Sequence, residues 1–185
     1  MPPSRLEPSM PNPADRAPSV PAAFSTLRDA TIADAAAICA IYNPYVARTT
    51  ISFEEEPVSV ETMEGRITEV TRNYPWLVAE IDGRVVGYAY AGPWRTRSAY
   101  RYSVESTVYV DSACVTRGLG TLLYQRLMER LRQAGIRQMF GGIALPNAAS
   151  VALHERLGFR KVAHFEAIGW KFDQWIDVGY WQRGL

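Results

Sequence analysis

Apolar positions along the chain recur with two different periods, and the switches between them predict its elements. Phe24 to Asp29 reads as a short strand. Thr31 and Asp34 have the spacing of a capping box that opens a helix. Ile38, Ile41, Tyr42 and Tyr45 then fall at i, i+3, i+4 and i+7, on one helical face. Asn43-Pro44 is expected to bend or end that helix, because proline lacks the donor and crowds the preceding turn. Ser59 is placed to cap a second helix with Met63, Ile67 and Val70 on its apolar side. Trp76 to Ile81 reads as a strand, Asp82-Gly83 as a two-residue hairpin turn, and Arg84 to Tyr90 as the returning strand, broken at Gly92-Pro93. From Tyr102 to Val110 the period is two, with Val104, Val108 and Val110 alternating against Glu105, Thr107 and Tyr109.

The clearest helix starts at Gly118. Leu119, Leu122, Leu123, Leu127 and Leu131 form its stripe, and Gly135 supplies the stop. Ile136 to Leu145 follows as a buried strand, and Asn147 caps a short helix ending at Gly158. From Phe159 the chain is strand-like and aromatic, with Phe165, Trp170, Phe172, Trp175, Tyr180 and Trp181. Strand, two helices, three strands, helix, strand, helix and strands describe a mixed α/β sheet.

Composition narrows the class. A length of 185 residues, with 48% hydrophobic and 21% charged, fits one globular domain. A net charge of +1 points to neither nucleic acid nor a membrane surface, and no apolar run is long enough to span a bilayer. Seven of the 12 prolines lie between Met1 and Pro21, so residues 1–24 are expected to be a disordered tail and 25–185 the domain. The tail lacks the apolar core of a signal peptide. Cys39 and Cys114 make no disulfide framework and are expected to be reduced, in a cytoplasmic protein. Cys114 stands beside a functional loop, so a reactive thiol and a plain packing residue both stay open. No His/Cys cluster has metal-ligand spacing, and no metal is expected.

That loop runs from the strand ending Val108-Tyr109-Val110 to Arg117-Gly118-Leu119-Gly120. Free N–H groups and the dipole at a helix start favour an anion, and glycines let the backbone approach a bulky diphosphate. By itself this glycine pair is also what an ordinary strand-to-helix turn uses. It is neither a P-loop nor the dinucleotide fingerprint, since the lysine of one and the third glycine of the other are missing.

Four separated blocks carry a resemblance: YNPYVARTTISFEEEP, WRTRSAYRYSVESTVYV, LPNAASVALHERLGF and GWKFDQWIDVGYWQRGL. In order and content they resemble the GNAT superfamily of acetyltransferases. More narrowly, they resemble its phosphinothricin and methionine sulfoximine N-acetyltransferases, over roughly Thr26 to Gly184. The resemblance implies a single domain of GNAT fold, a mixed central sheet with helices on both faces. It also implies acetyl-CoA as cosubstrate, a small amine as acceptor and a homodimer. The phosphate loop falls on Val115, Thr116, Arg117, Gly118, Leu119 and Gly120, with Val115 departing from the usual polar residue. The strand Thr107, Val108, Tyr109 and Val110 would pair with the pantetheine arm, its backbone N–H groups serving the carbonyl oxygen. Asn147 and Ser150 would contact the cofactor from the next helix.

For the chemistry, Glu105 is the candidate base. Apolar neighbours disfavour its charged form and raise its pKa toward neutrality. A solvent-facing glutamate is the plain alternative, and the family's catalytic glutamate falls at this position. His154 stands where relatives place an acid for the departing thiolate. A helix histidine hydrogen-bonded for structure is its alternative. At least one of Arg95 and Arg97, which flank Thr96, is expected to hold carboxylate, phosphinate or sulfoximine oxygens of the substrate, with Trp94, Tyr100 and Phe53 as walls. Solvated loop charges remain the other reading of those arginines. The aromatic C-terminal segment, in a chain with five tryptophans, is expected to form core and dimer interface. Two further functions stay open: a protein N-terminal or ribosomal-protein acetyltransferase, and a non-catalytic acetyl-CoA-binding module.

Overall fold

The computed structural model describes residues 26–114 and 118–185. The expected tail and Val115, Thr116 and Arg117 lie outside these residues. Strand β1 (Thr26–Asp29) leads through a short 3-10 turn into helix α1 (Ala35–Arg48). Asp34 accepts from the Thr31 N–H at 2.8 Å, as the capping spacing requires, and takes a bidentate contact from Arg28 that ties β1 to the helix start. Helix α2 (Val60–Thr71) is capped by Ser59, whose hydroxyl accepts from Thr62 N. Strands β2 (Trp76–Ile81) and β3 (Arg84–Pro93) form a hairpin whose turn residues Asp82 and Gly83 both have positive φ, the geometry a two-residue turn needs.

Helix α1 does not end at Pro44 but runs on to Arg48. The carbonyl that loses its helical donor belongs to Ala40, on the exposed face, while Tyr42 and Val46 on either side of Pro44 are buried. The Asn43 side chain also clasps both backbone groups of Val58. Packing thus outweighs the local break. Strand β3 likewise continues through Gly92-Pro93, paired with Glu105 and Val104, because proline is tolerated at a strand terminus.

Strand β4 (Ser103–Val110), helix α3 (Leu119–Gln133), strand β5 (Gln138–Leu145) and helix α4 (Ala148–Arg156) follow, then the long hairpin β6 (Arg160–Lys171) and β7 (Gln174–Gly184). The seven strands lie in the order β1-β2-β3-β4-β5-β7-β6. All neighbours are antiparallel except β4 and β5. A parallel pair needs a crossover, which α3 supplies.

The central strands of the sheet are buried on both faces by the period-two pattern. Leu77 and Ala79 pack with Leu119, Leu123, Leu127 and Leu131 of α3 on one face. Trp76, Val78 and Tyr88 pack with Ile38, Ile41 and Ile67 of α1 and α2 on the other. Each fully buried leucine of α3 contributes roughly 2 kcal/mol. Gly65, by contrast, is exposed in mid-α2, and an added Cβ there meets nothing within 4 Å. Since alanine is preferred to glycine inside a helix by about 1 kcal/mol, Gly65→Ala should raise the urea midpoint with the slope unchanged.

Candidate active site

The site begins where the sheet divides. Strand β4 pairs with β5 only from Ser103↔Gln138 to Glu105↔Phe140, while its pairing with β3 continues to Val110. Past Glu105, no strand of the described residues pairs with the β5 side of β4. Its backbone groups there are available to a ligand lying in the fork.

Alternation along β4 sends Glu105, Thr107 and Tyr109 into a cavity of about 620 Å³ on the α1/α2 face. Its walls come from Tyr42 of α1, from Ser52, Phe53 and Glu54 in the α1–α2 connection, from Met63 and Arg66 of α2, and from Tyr180 of β7. Burial pushes the Glu105 carboxyl above the usual carboxylate range, and the Arg95 charge and a hydrogen bond from Tyr180 partly oppose it.

Two adjacent glycines of β5 make room on opposite faces. A Cβ at Gly142 would lie 2.9 Å from Glu105 Oε1, and a Cβ at Gly141 would lie 2.3 Å from His154 Nε2. The two residues expected to do the chemistry are therefore on different sides of the sheet. His154 is only 3% exposed and does not line the cavity. Its Nδ1 is 2.8 Å from the Ser150 carbonyl, so it carries the hydrogen, and Nε2 accepts from the Tyr124 hydroxyl at 3.2 Å. Tyr124 also lies 3.2 Å from the Ser106 hydroxyl, which reaches the Phe140 carbonyl at 3.0 Å. This chain of polar contacts ends at the first residues of the fork. Burial lowers the imidazole's pKa and keeps it neutral, a state that cannot donate as imidazolium.

The expected cofactor residues gather at the fork's mouth, as far as they are described. Gly118 opens α3 with φ +89°, a conformation that favours glycine. A Cβ at Gly120 would press on Leu153 of α4 at 3.3 Å, so the start of α3 packs closely against the body of α4. Asn147 caps α4, accepting from Ser150 N at 3.1 Å. The Leu119 side chain is buried against the sheet, leaving only its backbone for a ligand, and Val108 and Val110 pack partly buried on the same cluster. The Val110 carbonyl is already held by the Tyr45 hydroxyl at 2.6 Å. An unpaired strand edge leading to a glycine-opened helix start fits the arm and diphosphate of coenzyme A.

The expected substrate residues divide. Phe53 lines the cavity, its ring lying where a Cβ of Gly169 would be, at 2.4 Å. Trp94 stays behind the lining, stacked on Phe140 at 4.3 Å and edge-on to Tyr180. Arg95 is exposed and folded back on Trp94, and it acts on the site through its field at Glu105 and Tyr180. Thr96, Arg97 and Tyr100 are exposed and do not line the cavity. Beyond Pro93 the chain leaves the sheet and turns at the surface through Ser98–Tyr100, which carries those side chains outward.

The arginine inside the cavity is Arg66, clamped on both oxygens of Glu54 at 2.6 and 3.2 Å. Sequence reasoning missed this pair, because Arg66 merely borders the apolar face of α2. It also missed Lys171, which is 2% exposed and donates to the carbonyls of Val46 and Ser52 at 2.7 and 2.6 Å. Lys171 thereby pins the connection carrying Ser52, Phe53 and Glu54 to the β6–β7 hairpin.

A forked sheet, a glycine-opened helix and a raised carboxylate facing a cavity define an acyltransferase that takes its acyl group from a coenzyme A thioester. Residues 27–179 match the acetyltransferase (GNAT) domain family, and the chain belongs to it. It is 44% identical to a phosphinothricin N-acetyltransferase of Streptomyces viridochromogenes, covering 85% of this chain and 86% of that one. It is 40% identical to an L-methionine sulfoximine/L-methionine sulfone acetyltransferase of Pseudomonas aeruginosa, covering 87% and 95%. Among solved structures, a phosphinothricin acetyltransferase from Sinorhizobium meliloti in complex with acetyl-CoA superposes with a TM-score of 0.84 at 38% identity, over 88% of this chain and 89% of that one. No helix of the described residues is long and apolar enough to cross a membrane.

His154 yields a direct check. Nitrogen NMR should find it as the Nδ1–H tautomer, titrating below the ordinary histidine value of about 6.5. With the folded pKa below the unfolded one, the unfolded chain takes the proton first, so this group makes stability fall as pH drops below that value.

Proposed function

We propose that the chain moves the acetyl group of acetyl-CoA to the amine of a small amino-acid-like substrate, of the phosphinothricin, methionine sulfoximine or methionine sulfone type. The observation that carries this reading is the Glu105 carboxylate, half-buried at the fork and facing the cavity with Tyr180 on it. Acetyl-CoA supplies an activated carbonyl and a thiol leaving group. An amine attacks only after losing a proton, and Glu105 takes that proton, directly or through one water. Its raised pKa makes it a better base than an exposed glutamate, and a positioned base is worth roughly 10² to 10⁴ in rate. Backbone N–H groups of Val108 to Val110 that face the fork stabilise the carbonyl oxygen as it gains charge. His154, through Tyr124 and Ser106, acts as a positioning residue that holds the fork's apex. Gly118 and Gly120, with Val115, Thr116 and Arg117 beside them, seat the diphosphate, and Asn147 and Ser150 flank it.

The chain works as a homodimer in the cytoplasm. The β6–β7 hairpin exposes Val162, Phe165, Ile168, Trp170, Phe172 and Trp175, an apolar surface suited to burial against a second copy. The free thiols of Cys39 and Cys114 suit a reducing compartment.

The test is release of free thiol from acetyl-CoA in the presence of a panel of amino acids and their oxidised sulfur analogues. Coenzyme A binding with no release by any amine would sink the reading. Glu105→Gln should lower turnover by about 10²-fold or more while coenzyme A still binds. The acidic limb of the wild-type pH profile should lie above the ordinary glutamate value of about 4.3, since the base works only when ionised, and it should vanish in Glu105→Gln. Tyr180→Phe should move that limb to higher pH, because it removes the hydrogen bond that favours the carboxylate.

A further inference from the structure

Lys171 is 2% exposed and does not line the cavity. Lysine is almost never buried so completely unless its charge has partners. Here both partners are backbone carbonyls. The Val46 carbonyl, at 2.7 Å, belongs to the last turn of α1, where carbonyls lack helical donors and the dipole favours a cation. The Ser52 carbonyl, at 2.6 Å, belongs to the α1–α2 connection. The ammonium group thus ties a helix end to a loop, which an apolar residue filling the same space could not do.

The strand that carries the lysine makes it a firm anchor. Lys171 forms the last register pair of the β6–β7 hairpin, with Gln174, and the turn residues Phe172 and Asp173 both have positive φ, as a two-residue turn requires. Gly169, two positions earlier, faces the same way and receives the Phe53 ring. Between Arg48 and Val60 the chain forms neither helix nor strand, so no ladder fixes Ser52, Phe53 and Glu54. Side chains hold them instead. Arg66 takes the Glu54 carboxylate, and the Tyr42 hydroxyl lies 2.6 Å from the Ser52 hydroxyl. Lys171 holds the main chain itself, at the residue before Phe53.

We propose that Lys171 is a positioning residue for the amine substrate: by fixing the Ser52 carbonyl it sets Phe53 against Gly169, and with it the affinity of the cavity for the amine. This rests on the N-acetyltransferase reading above and deepens it, adding a residue that acts on the substrate through another side chain. The two hydrogen bonds of Lys171 reach neither β4 nor β5, so the coenzyme A fork is independent of it.

The experiment measures thiol release with L-methionine sulfone for the wild type and for Lys171→Met, which keeps an apolar stem and removes the donors. Without the anchor, Phe53 must be ordered each time an amine binds, and the KM for the sulfone should rise about fivefold. The kcat and the KM for acetyl-CoA should stay near wild type, because what is lost is binding and not contact with the reacting centre. Phe53→Ala should raise the same KM, and adding Lys171→Met to it should raise it no further, since both changes act through one ring. An unchanged KM for the sulfone, equal rises in both KM values, a loss confined to kcat, or full additivity with Phe53→Ala would overturn the proposal. Any of these with the wild type active overturns this inference alone. No release by the wild type with any amine of the panel, coenzyme A still binding, overturns the acetyltransferase reading and this one with it. If Lys171→Met does not fold, Lys171→Gln, which keeps one amide donor group, takes its place: its rise in KM for the sulfone should be smaller and equally masked by Phe53→Ala.

Discussion

The molecule is organised by an interrupted ladder. β4 and β5 hold three register pairs and then separate, and the last pair is Glu105↔Phe140. In an uninterrupted sheet the following backbone groups would be satisfied by the next strand. Here they are left for something else, at a site where burial would make unpaired polar groups expensive. The interruption has identifiable causes. The Ser106 side chain donates to the Phe140 carbonyl at the point of separation. Tyr124 and His154 fill the space behind it, and Gly141 leaves room for the imidazole.

From that apex the two faces of the sheet do different work. On the α3/α4 face the apolar cluster is dense, and its polar members form one satisfied chain from the Ser150 carbonyl through His154 and Tyr124 to Ser106. On the α1/α2 face the aromatic rings of Tyr42, Tyr88, Tyr90 and Tyr109 surround a cavity whose charged side chains are Glu54, Arg66 and Glu105. Adjacent residues of one strand serve both purposes because side chains alternate across a pleated sheet. Glu105 faces the cavity and Ser106 the core. Gly142 clears space for the carboxylate and Gly141 for the imidazole.

The cavity's outer wall is held by a buried charge. Lys171 lies in a setting that lowers its pKa through desolvation, and it spends its donors on two backbone carbonyls of the segment between α1 and α2. Phe53 of that segment packs where Gly169 has no side chain. Glu54, one residue on, meets Arg66 of α2. Three separated parts of the chain thus fix the rim, and the character of the pocket follows from which charges neutralise one another there.

Much of this was legible from the sequence, because periodicity and turn chemistry are local. The capping pair at Thr31 and Asp34, the Asp82-Gly83 turn, the alternating strand through Glu105 and the leucine stripe after Gly118 each announce themselves within a few residues, and the four motif blocks pointed to the family. Where local rules faced tertiary packing they lost: α1 runs through Pro44 because Tyr42, Tyr45 and Val46 are held by the sheet and its neighbours. A place on the cavity was readable for Glu105, whose strand position fixes its face, and for Phe53. That Arg66 lines the cavity while His154, Arg95 and Arg97 do not was not readable, since spacing along a chain says nothing about which side of a sheet a helix covers or where a surface turn leads. The sequence by itself determined the elements and the family, through interactions between residues a few positions apart. Only the tertiary structure decided which charges meet in the cavity, because Glu54, Arg66 and Glu105 come from different elements and are brought together by the burial of the sheet between its two helix layers.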